Sequence, residues 1–340
     1  MATSSDHPTD PTPSPLNQLL FGHVCSAAVR AVAVHRIPDR LADGPRTAED
    51  LAASAGLHAD SLRRVLRLLA MHGLFTQDGK GTFGLTEAGQ ALRTDVPGSQ
   101  HAAALLITDE MFRRSADGLP DALRTGTTPF EAAYKVPFFA HLAGSPAAQH
   151  LFDSGMNEMS GQGDDLLAGS YPFPGSGTVV DVGGGRGGFL RAVLSREPAL
   201  TGVLFDQPDT VADHVLDTEE VRGRWSVAGG DFFSEVPAGG DLYVLKRILH
   251  DWNDEDCLRI LGSIRRAAAP GKRLLVVDAV LPDNGDPHPA VEVDVIMLML
   301  VSGRERTAKE FEDLLTRAGF KLNRILPTPS PASLIEAEAV

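Results

Sequence analysis

VVDVGGGRGGF, Val179 to Phe189, opens as an apolar strand and closes as the first turn of a helix, with the glycines between. Gly183, Gly185 and Gly188 satisfy G-x-G-x-x-G, the spacing that brings a ligand against backbone N–H groups at a helix N-terminus. Around it, from Thr178 onward, the runs TVVDV, LTGVLFD, DLYVLK and RLLVVDAVL alternate with helix-length segments. Short, near-continuous apolar strands in that alternation predict a doubly wound α/β domain, a parallel sheet covered on both faces. The glycine loop by itself fits a nicotinamide dinucleotide as well as a nucleoside cofactor.

Three carboxylates narrow the choice. Asp206 ends the strand after the glycines, where ribose hydroxyls are received in both classes. Asp231 follows a third strand in AGGDFF, where a nicotinamide enzyme has no need of an acid. With Phe232 it can line an adenine pocket. Asp181, directly before the glycines, would repel a pyrophosphate but suits a cationic methionine end. Each acid alone could be a turn or cap residue. Together they favour S-adenosylmethionine (SAM) over NAD.

The N-terminal half has a different rhythm. An uninterrupted helical pattern runs from Leu16 to Arg36. Thr47-x-x-Asp50 opens a short helix closed by Gly56, and Leu62, Val65, Leu66 and Leu69 form the apolar face of a second. Gln77–Gly81 reads as a hairpin turn, completing a winged helix-turn-helix pattern. Arg63, Arg64 and Arg67 on the second helix raise a DNA-binding reading. Between Arg46 and Arg93, however, six basic residues face five acidic ones, far from the basic face such a domain carries. Packing or dimerisation is the alternative. Helical pattern continues over 99–167, and GSYPFPGSG, Gly169–Gly177, is the expected hinge. The expected organisation is a tail over 1–15, a winged-helix module over 16–98, a helical linker over 99–170 and the sheet domain over 171–340.

Composition is that of a soluble globular protein: 43% hydrophobic, 22% charged, formal net charge −14. That charge repels nucleic acid and anionic lipid. Two cysteines make no disulfide framework and fit a reducing cytoplasm. The N-terminus lacks the apolar core of a signal peptide, and the longest apolar run, Val295–Val301, is too short to span a bilayer. No H-E-x-x-H, paired C-x-x-C or G-x-S-x-G occurs, so metal and serine-nucleophile chemistry find no motif.

The winged-helix module, DVGGGRGG, FDQPDTV, GGDFF, LKRILHDWNDEDCLRIL, RLLVVDAVLP and GRERTAKEFEDLLTRAGF, in this order, resemble the plant-type O-methyltransferase family of caffeate, flavonoid and bacterial antibiotic-tailoring enzymes. The resemblance covers nearly the whole chain and implies a homodimer acting on a small aromatic acceptor, with SAM converted to S-adenosylhomocysteine and no metal. It implies cofactor contacts from Asp181, Gly183, Gly185, Asp206, Gln207, Asp231, Phe232, Phe233, Lys246 and Arg247. It implies His250 as general base, flanked by Asp278 and Glu305, and acceptor contacts from Met156, Trp252 and Met297. Two departures stand out: LMLVS before Gly303 is one residue shorter than the plant pattern, and YKVPFF, Tyr134–Phe139, lacks the usual small residues.

The chemistry gives His250 a reason. A phenol of pKa near 10 is only about one part in a thousand ionised at pH 7. Removing its proton in place is therefore worth up to roughly three decades. An imidazole of ordinary pKa near 6.5 is neutral enough to take that proton. Either Asp278 or Glu305 could orient the ring. Cys257, at helical spacing with Ile260, Leu261 and Ile264, reads as core. Met297 and Met299 read as packing beside a strand. N- or C-methylation on the same scaffold, and a SAM-binding relative with a non-methylating reaction, stay open.

Overall fold

The computed structural model describes residues 14–340, the side chains of 160–162 excepted. Of the expected tail, residues 1–13 lie outside the described part. Ser14 and Pro15 instead start the first helix, Pro15–Val34, the Ser14 hydroxyl accepting from the Asn17 N–H at 3.3 Å. The chain forms two compact units, one reaching to Asp109 and including Leu151–Glu158, the other comprising Glu110–His150 and Met159–Val340. The expected linker 99–170 is thus shared between the two. The expected hinge is packed: Tyr171 is buried and donates to Glu336 Oε2 at 2.7 Å, within the second unit.

In the first unit, strand β1 (Arg46–Thr47) leads to helices Ala48–Ala55 and Ala59–Met71, then to β2 (Phe75–Gln77) and β3 (Thr82–Leu85). The strands form an antiparallel sheet ordered β1-β3-β2, the wing that the hairpin signal predicts. Thr47 Oγ1 accepts from the Asp50 N–H at 3.1 Å, and Gly56 ends the helix at φ 69°. Leu62, Leu66 and Leu69 face a core with Leu51, Phe75 and Phe83. The first helix leaves Leu16, Leu19, Leu20 and Phe21 exposed, between 58% and 80%. Arg63, one of the three arginines of the DNA-binding reading, is tied to Glu49 and Asp60.

The second unit carries β4 (Gly177–Val182), β5 (Leu200–Asp206), β6 (Trp225–Gly229), β7 (Leu242–Lys246) and β8 (Arg273–Leu281). Two residues, Arg306–Thr307, make the short β9, and β10 (Phe320–Pro327) and β11 (Ala332–Ala339) complete the set. The order is β10-β11-β8-β7-β4-β5-β6. Strands β4 to β8 pair in parallel, but β11 runs antiparallel to both β8 and β10. The all-parallel expectation is therefore corrected at one edge: the chain returns through a short turn at 328–331, and a turn that short can join only antiparallel strands. Between β4 and its neighbours the chain order reverses, which opens a crevice beyond the carboxyl ends of β4 and β7. The apolar strands are buried on both faces, by Phe189, Leu190 and Val193 on one side and by Ile260, Leu261 and Ile264 on the other. Cys257 is fully buried in that second layer, and burial pushes its thiol up to about 12.

Candidate active site

The glycine loop is fastened to β5. Gly183 and Gly184 donate N–H groups to the Phe205 carbonyl at 2.8 and 3.3 Å, and Gly185 donates to Asp206 Oδ2 at 2.8 Å. Gly183 must be glycine twice over, since it has φ 68° and a Cβ there would lie 2.6 Å from the Ile248 side chain. At Gly185 a Cβ would meet nothing within 4 Å, so this turn faces open space. Asp206 also accepts from the Gln207 N–H at 2.6 Å, and Gln207 is exposed at the start of the short helix Pro208–Ala212.

Beneath the loop, Asp181 is buried and both of its oxygens lack a hydrogen-bond partner within the protein. Burial drives its carboxyl up to about 7, against the opposing pull of Lys246. Lys246, at the end of β7, donates to Asp164 Oδ1 at 2.8 Å and lies 5.9 Å from the centre of the Phe189 ring. A buried carboxylate of this kind is satisfied by a cationic group supplied from outside. The cleft therefore fits a cofactor with a positively charged end and a ribose, and the residues present suit SAM.

Asp231 sits just past β6, exposed, in a turn where Oδ1 accepts from the Phe233 N–H at 2.9 Å and Oδ2 accepts from the Ser234 hydroxyl at 3.1 Å. The turn reading of this residue is satisfied, and its carboxylate still reaches solvent. Phe232 and Phe233 lie next to it, their rings 4.9 Å apart. Phe233 meets Trp252 edge-on at 4.7 Å, and Trp252 stacks on Phe139 at 5.6 Å. The divergent YKVPFF stretch thus supplies one wall of an aromatic cluster whose other walls come from GGDFF and HDW.

His250 follows β7 in a tight turn, Leu249–Asp251, and is 6% exposed. Its Nδ1 lies 2.8 Å from Glu305 Oε1, and its Nε2 lies 3.5 Å from Asp251 Oδ1. β9 pairs with the end of β8, Val280 opposite Arg306, and this register carries Glu305 to the side of Asp278. Of the two flanking carboxylates, Glu305 is the one within hydrogen-bond distance of the ring. Asp278 is buried with both oxygens unpartnered and acts on the ring through its charge. Glu305 is itself located by the helix Ala290–Leu300, where Asp294 Oδ1 accepts the Glu305 N–H at 2.8 Å.

Burial pulls the His250 imidazole down, but Asp251, the hydrogen bond to Glu305 and the charge of Asp278 outweigh it and raise the ring to about 9. Burial raises Asp278 to about 7 and Asp251 to about 6, the cation of His250 opposing it in each case. These groups exchange protons as one cluster. The gathered acids favour the protonated ring, a pull against the neutral imidazole expected from its ordinary pKa. Arg247 stands at φ 54°, unusual for a side chain other than glycine, and its charge acts on Asp251 and Asp278.

Met297 and Met299 lie on the helix Ala290–Leu300, which itself packs against β8. Met297 is half-buried, as is Met156, which belongs to the first unit. Sequence reading passed over Asp164, Asp294 and Arg306. Asp164 and Asp294 stand in helices with no local motif, whereas Arg306 had a readable signal in its place directly after Glu305. No group of His, Cys, Asp and Glu among the described residues is arranged to hold a metal ion, and no described helix is long and apolar enough to cross a membrane.

Comparison with known proteins agrees with this geometry. Residues 117–321 match the O-methyltransferase domain and residues 17–95 the O-methyltransferase dimerisation domain. The chain is 38% identical to phenazine O-methyltransferase PhzM of Lysobacter antibioticus, over 97% of each protein. It is 40% identical to O-demethylpuromycin-O-methyltransferase of Streptomyces alboniger, over 95% of this chain and 88% of that one. Among solved structures it is similar to CalO1, a methyltransferase in calicheamicin biosynthesis in its SAH-bound form. That match has TM-score 0.86 and 43% identity, covering 96% of this chain and 97% of the other.

Proposed function

The chain belongs to the O-methyltransferase family, and from that premise we propose that it methylates a phenolic hydroxyl of a small aromatic natural product, with His250 as base. The observation that carries this reading is the buried His250–Glu305 pair at 2.8 Å, set beyond the carboxyl end of β7 beside the glycine loop. Bound SAM supplies an electrophilic methyl group on a sulfonium. Asp181 would hold its cationic end, Asp206 and Gln207 its ribose, and Asp231 with Phe232 and Phe233 its adenine. Gly183 and Gly185 give it room. Lys246 acts through its ion pair with Asp164 and through its charge beside Asp181, and Arg247 by its charge beside the acids of the His250 cluster.

Glu305 accepts the Nδ1–H of His250 and so makes Nε2 the basic nitrogen. Nε2 would take the phenol proton, leaving the oxygen free to receive the methyl group that bound SAM would supply, with S-adenosylhomocysteine leaving as the neutral thioether. A ring raised toward the pKa of a phenol is a stronger base once neutral, so turnover rises as pH climbs toward 9. The remaining acceleration comes from aligning oxygen and methyl, on the order of 7–11 kcal/mol. Trp252 and Met297 are assigned to the acceptor. Residues 171–340 form the cofactor domain. The module 16–98 pairs two copies through the exposed face of the first helix. Neither nucleic acid nor membrane takes part, and the enzyme works in the cytoplasm.

A turnover screen of phenolic scaffolds with methyl-labelled SAM tests the reading. Products carrying O-methyl groups by NMR are expected. N- or C-methyl products from every accepted scaffold would replace it with the amine or carbon alternative, and release of a non-methylated product would replace it with the non-methylating one.

A further inference from the structure

The segment that carries Glu305 also supports the backbone of the turn that carries His250. Arg306 is 1% exposed. Its guanidinium donates to the carbonyls of Leu249 at 2.7 Å and Trp252 at 2.9 Å, the two residues that bracket His250 and Asp251. It is anchored by Asp254 Oδ1, at 2.7 Å from Nη2 and 3.1 Å from Nε, at the start of the helix Asp254–Ala267. A buried guanidinium with nearly every donor engaged has one available orientation. Three residues earlier, Gly303 lies directly on the same turn. A Cβ there would fall 1.9 Å from the His250 carbonyl oxygen and 2.6 Å from the Trp252 nitrogen. These are backbone atoms, which cannot swing aside. The turn is entered through Arg247 in a left-handed conformation, which is costly unless its surroundings hold it.

We propose that Arg306, with Gly303, is the positioning element of the general base: it holds the 249–252 turn against the 303–306 segment and thereby sets the His250–Glu305 distance. The proposal rests on the reading of His250 as base for its catalytic meaning, but its geometric content stands separately. Glu305 reaches the imidazole from the segment Arg306 anchors. Asp278 reaches it from β8, and Asp251 from its own turn, with Arg247 acting on both of these acids. Loosening the staple therefore moves the ring relative to Glu305 first, and the imidazole loses an anionic partner.

The test is the titration of His250 in the full-length protein, followed by NMR of nitrogen-labelled histidine and assigned by its absence in His250→Ala. Arg306→Met and Gly303→Ala are expected to lower the His250 pKa by about one unit, the usual scale for loss of a close opposite charge. Arg306→Lys should fall between them and the parent. Affinity for S-adenosylhomocysteine, measured by calorimetry, should stay within about twofold, because the glycine loop is fastened to β5 independently of this turn. A merely structural role would lower the melting temperature and leave the titration where it is. If Arg306→Met does not fold, Arg306→Lys, which keeps the buried charge but not the fixed fork, decides. Folded variants with the parental His250 titration would overturn the proposal, whereas full turnover in His250→Ala would remove the base reading and leave the positioning result intact.

Discussion

The glycine-loop side of the cleft and the His250 side are built in opposite ways. On the first, Asp231 is held by Phe233 and Ser234 and Asp206 by Gln207, all near neighbours in the chain, with one longer-range bond to Asp206 from Gly185 of the glycine loop. On the second, His250, Asp278 and Glu305 come from separate elements, and three carboxylate oxygens on Asp278 and Glu305 have no partner in the protein. Local construction gives a preformed cradle. Distant construction gives a cluster of charges whose proton affinities depend on each other, and that sensitivity is what a tuned base requires.

The sharpest way to break this division is His250→Ala. With an acceptor from the phenol screen, turnover should fall by roughly 10²–10⁴-fold while calorimetric affinity for SAM changes little. Retained turnover would end the base assignment, and lost SAM affinity would end the independence of the two sides. Asp206→Ala is the mirror experiment. It removes a charged acceptor that also holds Gly185, so SAM should bind about 10- to 100-fold more weakly. An unchanged dissociation constant would contradict that role.

Smaller effects separate the acids. Glu305→Gln should cut turnover about tenfold and move the alkaline rise of the pH–rate profile to lower pH, because one of the anions raising His250 is gone. Asp278→Asn should move it less, since Asp278 makes no hydrogen bond to the ring. A larger shift from Asp278 than from Glu305 would reverse their order. The smallest signal belongs to Asp181. Its carboxyl is raised to about 7, so a cation bound beside it favours the ionised form and expels a proton. SAM affinity should therefore increase from pH 6 to pH 8. Calorimetry in two buffers of different ionisation heat should register proton release near pH 6.5. Identical heats after buffer correction, with no pH dependence, would remove Asp181 from the cationic end.

The unequal legibility of the two sides in the sequence has the same origin. DVGGGRGG, FD and GGDFF could be read because φ restrictions on glycine and strand-end carboxylates act over a few residues. The Leu62, Leu66 and Leu69 face of the winged-helix module was legible through helical periodicity. Periodicity assigned no element to Met297 and Met299, whose apolar run fits helix or strand alike and forms the helix Ala290–Leu300. It also gave no warning that Gly169–Gly177 would be packed, since Tyr171 is fixed by Glu336, far along the chain.

From the sequence alone followed the two-part architecture, the alternation of strands and helices in the second half, and the candidacy of the glycine loop and of His250, each carried by short-range geometry or by a motif; the order of the strands came from the structure. Only the tertiary structure chose Glu305 over Asp278 as the partner of the ring, joined Phe139 to Trp252, and put Arg306 behind the turn. It also raised the proton affinity of His250, because that affinity is set by how many charges gather around a buried group, and sequence distance says nothing about which ones do.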